Sequence, residues 1–214
     1  MYKTYFNILV TNILNKDKGD SMSAFLGPIH YWLYNKIQFQ EALTKAVLTD
    51  YDLILASLEE ICGAVETGDL EEVIDTGNIH GWLQRQIIIA EARFANAVGK
   101  LLQEEKVSME QIETLVYEFG KKHPLTGETA PEIYKQLQDL LLDGMPCDHV
   151  NMLVEQTEEK VCWQRTSDLH SSHWEKLSID GGIYYNLRGT LLKGMLLGSA
   201  FSYQQEKDLS IISK

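Results

Sequence analysis

Two sets of residues in this chain have the types and spacing to hold a metal ion or to move a proton. The first is Cys147-Asp148-His149 taken with His170-x-x-His173. Val150, Met152 and Val154 alternate with polar residues, as do Val161, Trp163 and Arg165 across a polar turn, which predicts a β-hairpin. Folding that hairpin about Thr157 to Lys160 sets Val154 near Val161 and, further out, Cys147 near Asp168. A His pair at i, i+3 shares one helix face. Cys147, His149, His170 and His173 would then offer thiolate and imidazole in the number that zinc takes. The same groups permit a rival chemistry, with Cys147 as nucleophile, His170 as its base and Asp168 or Asp148 as the orienting carboxylate. Each also has an ordinary role: Asp168 as a helix cap, Cys147 as a small buried residue, His173 on the surface.

The second set lies in a repeated pattern. Gly27, Ile29, His30, Trp32, Leu33, Ile37, Glu41 and Ala42 recur fifty positions later as Gly77, Ile79, His80, Trp82, Leu83, Ile87, Glu91 and Ala92. Chance would match about one position in such a stretch, so the pattern reads as an internal duplication. Within each copy the His and the Glu share a helix face but stand about 16 Å apart along the axis, so each must find its partner on another element. Antiparallel copies would pair His30 with Glu91 and His80 with Glu41. Parallel copies would instead set His30 against His80, and two converging imidazoles are half of a metal site. A buried hydrogen bond and packing contact inherited through the duplication is the plainer account of the His pair. Glu91 is the sharper carboxylate, because Ile87, Ile88, Phe94 and Ala95 surround it and an ionised group there needs a cation, a metal or a proton. Arg188 or Arg165 is its plain partner. The Glu-x-x-His pattern of two-carboxylate metal bundles does not occur.

The elements that must position these groups are mostly helical. One helix opens at Gly27-Pro28 and runs to about Leu48, with Ile29, Leu33 and Ile37 as its apolar stripe. A second covers about Tyr51 to Val65, and Gly68 to Thr76 is a short acidic turn. The second copy runs from Ile79 to about Gln103, and Ser108-Met109-Glu110-Gln111 caps a helix through about Lys121. The unit is a helical hairpin made twice, which predicts a four-helix bundle. His123 to Pro131 reads as a linker; Ala130-Pro131-Glu132 opens a helix that ends at Gly144. After the β-hairpin, Ser167 or Asp168 caps a helix bearing His170, His173 and Trp174, and a last helix spans about Ile183 to Phe201. Gly194-x3-Gly198 with Ala200 gives that helix a strip for close backbone approach, and the tail after Tyr203 should fray.

Composition bounds the function. Hydrophobic residues are 44% and charged residues 23%, near the averages of folded domains, so the 214 residues can bury a real core. Nineteen Lys and Arg stand against 31 Asp and Glu, a formal charge of -12, without clustered cations. Nucleic acid and anionic membrane are therefore poor partners. No run is long enough to span a bilayer, and three scattered Cys argue for a reducing, cytoplasmic setting. No phosphate-cradling glycine motif is present. Lys18-Gly19-Asp20 can be encoded as a bacterial ribosome-binding site ahead of Met22, so residues 1–21 are expected to be a translated leader.

The expectation is a mainly α fold: a duplicated bundle over residues 22–126, then an α+β part over 127–214 that shares or abuts the same core. Its expected function is binding of a transition metal (zinc, iron or nickel) or a small molecule in a bundle cavity, including metal-dependent hydrolysis. The candidate ligands are His170, His173, Cys147 and His149, then His30, His80 and Glu91. The alternatives are a non-catalytic scaffold that forms homo-oligomers and an enzyme dependent on Cys147.

Overall fold

The computed structural model describes residues 26–214, so the expected leader over 1–21 lies outside the described residues. Among the described residues, eight helices and a four-stranded antiparallel sheet make the fold mainly α. In chain order these are α1 (Pro28–Val47), α2 (Asp52–Cys62), α3 (Leu70–Val73), α4 (Ile79–Gln103), α5 (Met109–Lys121), α6 (Ala130–Leu140), β1 (Asn151–Gln156), β2 (Lys160–Arg165), α7 (Ser171–Glu175), α8 (Gly182–Met195), β3 (Ser202–Glu206) and β4 (Leu209–Ser213). A 3-10 turn at Pro146–Asp148 precedes β1.

Local sequence explains where the helices start. Pro28 opens α1 at a position whose missing N–H costs nothing, and the Gly27 N–H donates to His30 Nδ1 at 2.8 Å. Asn78 Oδ1 accepts from the Gly81 N–H ahead of α4. Ser108 and Gln111 close a reciprocal cap on α5, and Thr129 with Glu132 does the same for α6.

α1 and α4 run parallel. Their contacts advance in step, from the His30 and His80 rings 5.6 Å apart, through Tyr34 against Trp82, to Glu41 with Arg93. The expected hairpins do not pack as hairpins. Instead α2 lies on α4 and α5 lies on α1, so the second helix of each unit covers the first helix of the other. α1 is consequently enclosed, with His30, Lys36, Gln40, Glu41 and Thr44 buried beside its apolar stripe. One core takes side chains from α1 through β4, and a smaller one gathers Leu33, Ile37, Leu83, Ile87 and Leu142.

Three boundaries depart from expectation. α6 ends at Leu140 rather than Gly144, because the next residues turn extended to bury Leu141 and Leu142 and to bring Asp143 onto Arg188. α8 ends at Met195, and the chain turns at Gly198, where φ is +81°. The tail is not frayed: it forms β3 and β4, which complete the sheet in the order β1-β2-β4-β3. The hairpin β1–β2 has the expected turn, but Gln156 faces Val161 and a register irregularity follows between Leu153 and Glu155. α6 and α8 cover β2, β4 and β3, while β1 is an edge strand with Met152, Leu153 and Val154 exposed.

Candidate functional site

The segment after α6 and the first turns of α1 bound a cavity of about 250 Å³. Trp32, Lys36, Gln138, Asp143, Met145 and His149 are among the residues lining it. Lys36 projects from the enclosed helix α1 and is only 5% exposed. Its Nζ sits over the Trp32 ring, one helical turn earlier, 3.9 Å from the centroid. That ring is fixed in turn by its Nε1–H, which donates to Asp139 Oδ1 at 2.9 Å. Among the described residues Lys36 makes no hydrogen bond and no salt bridge. Burial disfavours its ammonium form more than the charges of Asp143 and Asp139 favour it, with Arg188 opposing as well, and its pKa falls to about 8.

The carboxylate nearest in role, Asp143, is committed elsewhere. Arg188 holds both of its oxygens, with Nη2 2.8 Å from Oδ2, and Asn151 Nδ2 donates to Oδ2 at 2.9 Å. Burial alone would raise the Asp143 pKa, but the Arg188 charge and hydrogen bonds, joined by His170, hold it well below the usual carboxylate range. Behind it, His170 is 1% exposed and lies between two carboxylates: Nδ1 is 3.0 Å from Glu91 Oε2 and Nε2 is 3.3 Å from Asp143 Oδ1. Burial pulls the His170 pKa down, yet the Glu91 charge and the two hydrogen bonds outweigh it and raise the value to about 9. His170 is thus an imidazolium donating from both nitrogens. Tyr184 stacks on its ring at 4.0 Å. The Glu91, His170, Asp143 and Arg188 row alternates in charge and meets the cavity wall at Asp143.

This geometry separates the residues expected to act together. His170 and Glu91, assigned to different sets by sequence, are in direct contact. The antiparallel pairing of His30 with Glu91 does not form, because α1 and α4 are parallel. Glu91 takes His170 rather than Arg188 or Arg165, and its Oε1 has no hydrogen-bond partner among the described residues. Glu41, its counterpart fifty residues earlier, takes Arg93 through two bonds of 2.9 and 2.8 Å. Cys147 and His149 are exposed, on the 3-10 turn and just after it, and His173 is half-buried on α7. With both ring nitrogens of His170 held by carboxylates, no free nitrogen is left to serve Cys147 as a base. Asp168 keeps its capping role: Oδ1 accepts from the His170 and Ser171 N–H groups at 3.0 Å each, and also from the Tyr185 hydroxyl. Among the described residues no three His, Cys, Asp or Glu side chains converge as a metal site requires.

Sequence reasoning passed over Lys36, which reads there as solvated surface. Lys36 stands fifty residues before Gln86, at the matching place in the repeated sequence pattern. Gln86 is equally buried and spends its Oε1 on the Glu66 backbone N–H at 2.9 Å, whereas Lys36 has no such task. His149, at the cavity rim, has a left-handed backbone with φ of 48° and its carbonyl accepts from Thr166 Oγ1 at 2.8 Å. The chain matches no known protein-family model, no curated protein and no solved structure.

Proposed function

We propose that this protein binds a small anionic molecule in the cavity beside α1, with Lys36 as the cation that recognises it. The observation that carries this is Lys36 itself, a buried amine over the Trp32 ring with no hydrogen-bond or ion-pair partner among the described residues, which opens on a cavity of about 250 Å³. A buried charge is normally paired. Here the available carboxylate, Asp143, is already saturated by Arg188, Asn151 and His170. The Trp32 face and Met145 supply apolar wall, and His149 supplies a polar edge, the usual mixture in a small-molecule site. On this reading the two copies arose by duplication and diverged where Gln86 became structural and Lys36 functional.

Thermal melts with lactate and with inorganic phosphate test the proposal. A ligand at a hundred times its Kd adds about 2.7 kcal/mol to the folded state. Wild-type protein should show a rise in Tm with at least one anion, and Lys36→Met should show none. Lys36→Met should also be the more stable protein at pH 7 without ligand, by about 1–3 kcal/mol, since it relieves the burial cost that lowers the Lys36 pKa. That gain should vanish as pH rises from 8 to 10.5, where the native amine is neutral and the cost is gone. A wild-type Tm indifferent to both anions, with a destabilised Lys36→Met, contradicts the proposal.

A second reading keeps the metal branch and rests on the His30 and His80 rings standing 5.6 Å apart. His30 Nδ1 is occupied by the Gly27 N–H, so Nε2 is the nitrogen left for an ion of zinc, iron or nickel. The same melts repeated with a chelator read this out.

A further inference from the structure

We infer that Lys36 acts as a nucleophile and that its cavity takes a small 2-oxo acid or aldehyde acid, held as an imine on Nζ. This rests on the cavity being the ligand site proposed above.

Three structural features set Lys36 apart from a lysine that is only a charge. Its stem is anchored in α1, which is covered by α4, α5 and α6, so the amine has little freedom to swing into water. The Trp32 ring beneath Nζ is itself pinned by Asp139, which fixes where the amine points. No carboxylate among the described residues pairs with it, and such a pair would hold it as an ammonium ion. The charged groups that face it are Asp139 of α6, Asp143 of the following segment and Arg188 of α8. Burial outweighs their sum, and a pKa of about 8 makes the free-amine fraction at pH 7 on the order of 300 times that of an ordinary lysine. A desolvated lysine in an apolar setting is the form that carries out Schiff-base chemistry.

The step balances without any further reagent. Neutral Nζ adds to the carbonyl carbon, the C=O π pair moves to oxygen, and that oxygen leaves as water with the two amine protons, giving C=N. Protonation from solvent restores the lysine's positive charge on the imine. With Asp143 bound to Arg188, Asn151 and His170, and Asp139 taken by the Trp32 Nε1–H and Lys135, the counter-charge must come from the ligand. That selects a carbonyl compound carrying its own carboxylate.

The test is reductive trapping on the full chain: glyoxylate at limiting concentration with cyanoborohydride at pH 7, followed by peptide mass mapping. The expected result is a carboxymethyl group on Lys36 at about tenfold or more over the exposed lysines, a gain well inside the excess of free amine. Lys36→Arg, checked for fold by circular dichroism, should lose that adduct and leave the exposed lysines labelled as before. Lactate has the same carboxylate and no carbonyl, so it separates the two claims. If lactate raises the wild-type Tm but glyoxylate labels Lys36 no more than exposed lysines, the imine is overturned and anion binding stands. If lactate and phosphate leave the Tm unchanged and Lys36 is unlabelled, both are overturned.

Discussion

Two buried cations dominate the site, and they titrate with opposite consequences. The His170 pKa is raised to about 9 by Glu91 and Asp143, so its contribution to stability is complete below 6.5 and is lost as pH rises through 9. Lys36 is lowered to about 8, so it works in the other direction, but only between 8 and 10.5. The window from 6.5 to 8 therefore reports His170, and wild-type stability should fall there by about 2 kcal/mol. In His170→Gln the fall should flatten, while the protein as a whole loses about 3 kcal/mol because Glu91 keeps a buried charge without its cation, whereas Asp143 still has Arg188. Urea unfolding at several pH values measures both, and a variant that keeps the wild-type slope would show that His170 is not the titrating group. A carboxylate flanked in sequence by Ile87, Phe94 and Ala95 was legible as needing a cation, and Glu91 has one; Ile88, expected beside them, is exposed. Its partner was not legible, since His170 lies 79 residues away and reaches Glu91 only through the packing of α7 on α4.

At the scale of elements, the parallel placement of α1 and α4 is what brings His30 to His80 and Glu41 to Arg93. The start of each long helix could be read from its cap, because capping is settled within four residues. The ends could not. The Leu141 to Asp143 stretch leaves the helix for contacts with residues distant in sequence, and the β3–β4 hairpin needs β2 as its neighbour before Ser202 to Ser213 reads as strand. The glycine strip on α8 was half legible. A Cβ on Gly194 would collide with the Tyr117 backbone carbonyl of α5, whereas one on Gly198 would meet nothing. Gly194→Ala should therefore cost about 3 kcal/mol, and Gly198→Ala about 1 kcal/mol, from its left-handed backbone alone. Equal losses in denaturant melts would contradict a close α5–α8 backbone approach at Gly194.

Taken as one molecule, the chain encloses α1 on several sides and leaves one lysine of that helix facing a cavity. Among the described residues no helix is long and apolar enough to cross a membrane. The acidic surface keeps anions at a distance in general, so an anion that does bind must find local positive charge. Lys36 meets that need, and sequence alone could not single it out, since a lysine between Asn35 and Ile37 on an amphipathic helix reads as solvated surface. Its burial follows from α6 and the 141–150 segment folding over that face. The most direct measurement is an NMR titration of the Lys36 side chain in protein labelled at the lysine ε-carbons, assigned by Lys36→Arg, with and without lactate. The account predicts a midpoint near 8 that moves upward when lactate is present, because a bound anion favours the ammonium form. A midpoint at the ordinary lysine value of about 10.4, unmoved by lactate, would contradict it.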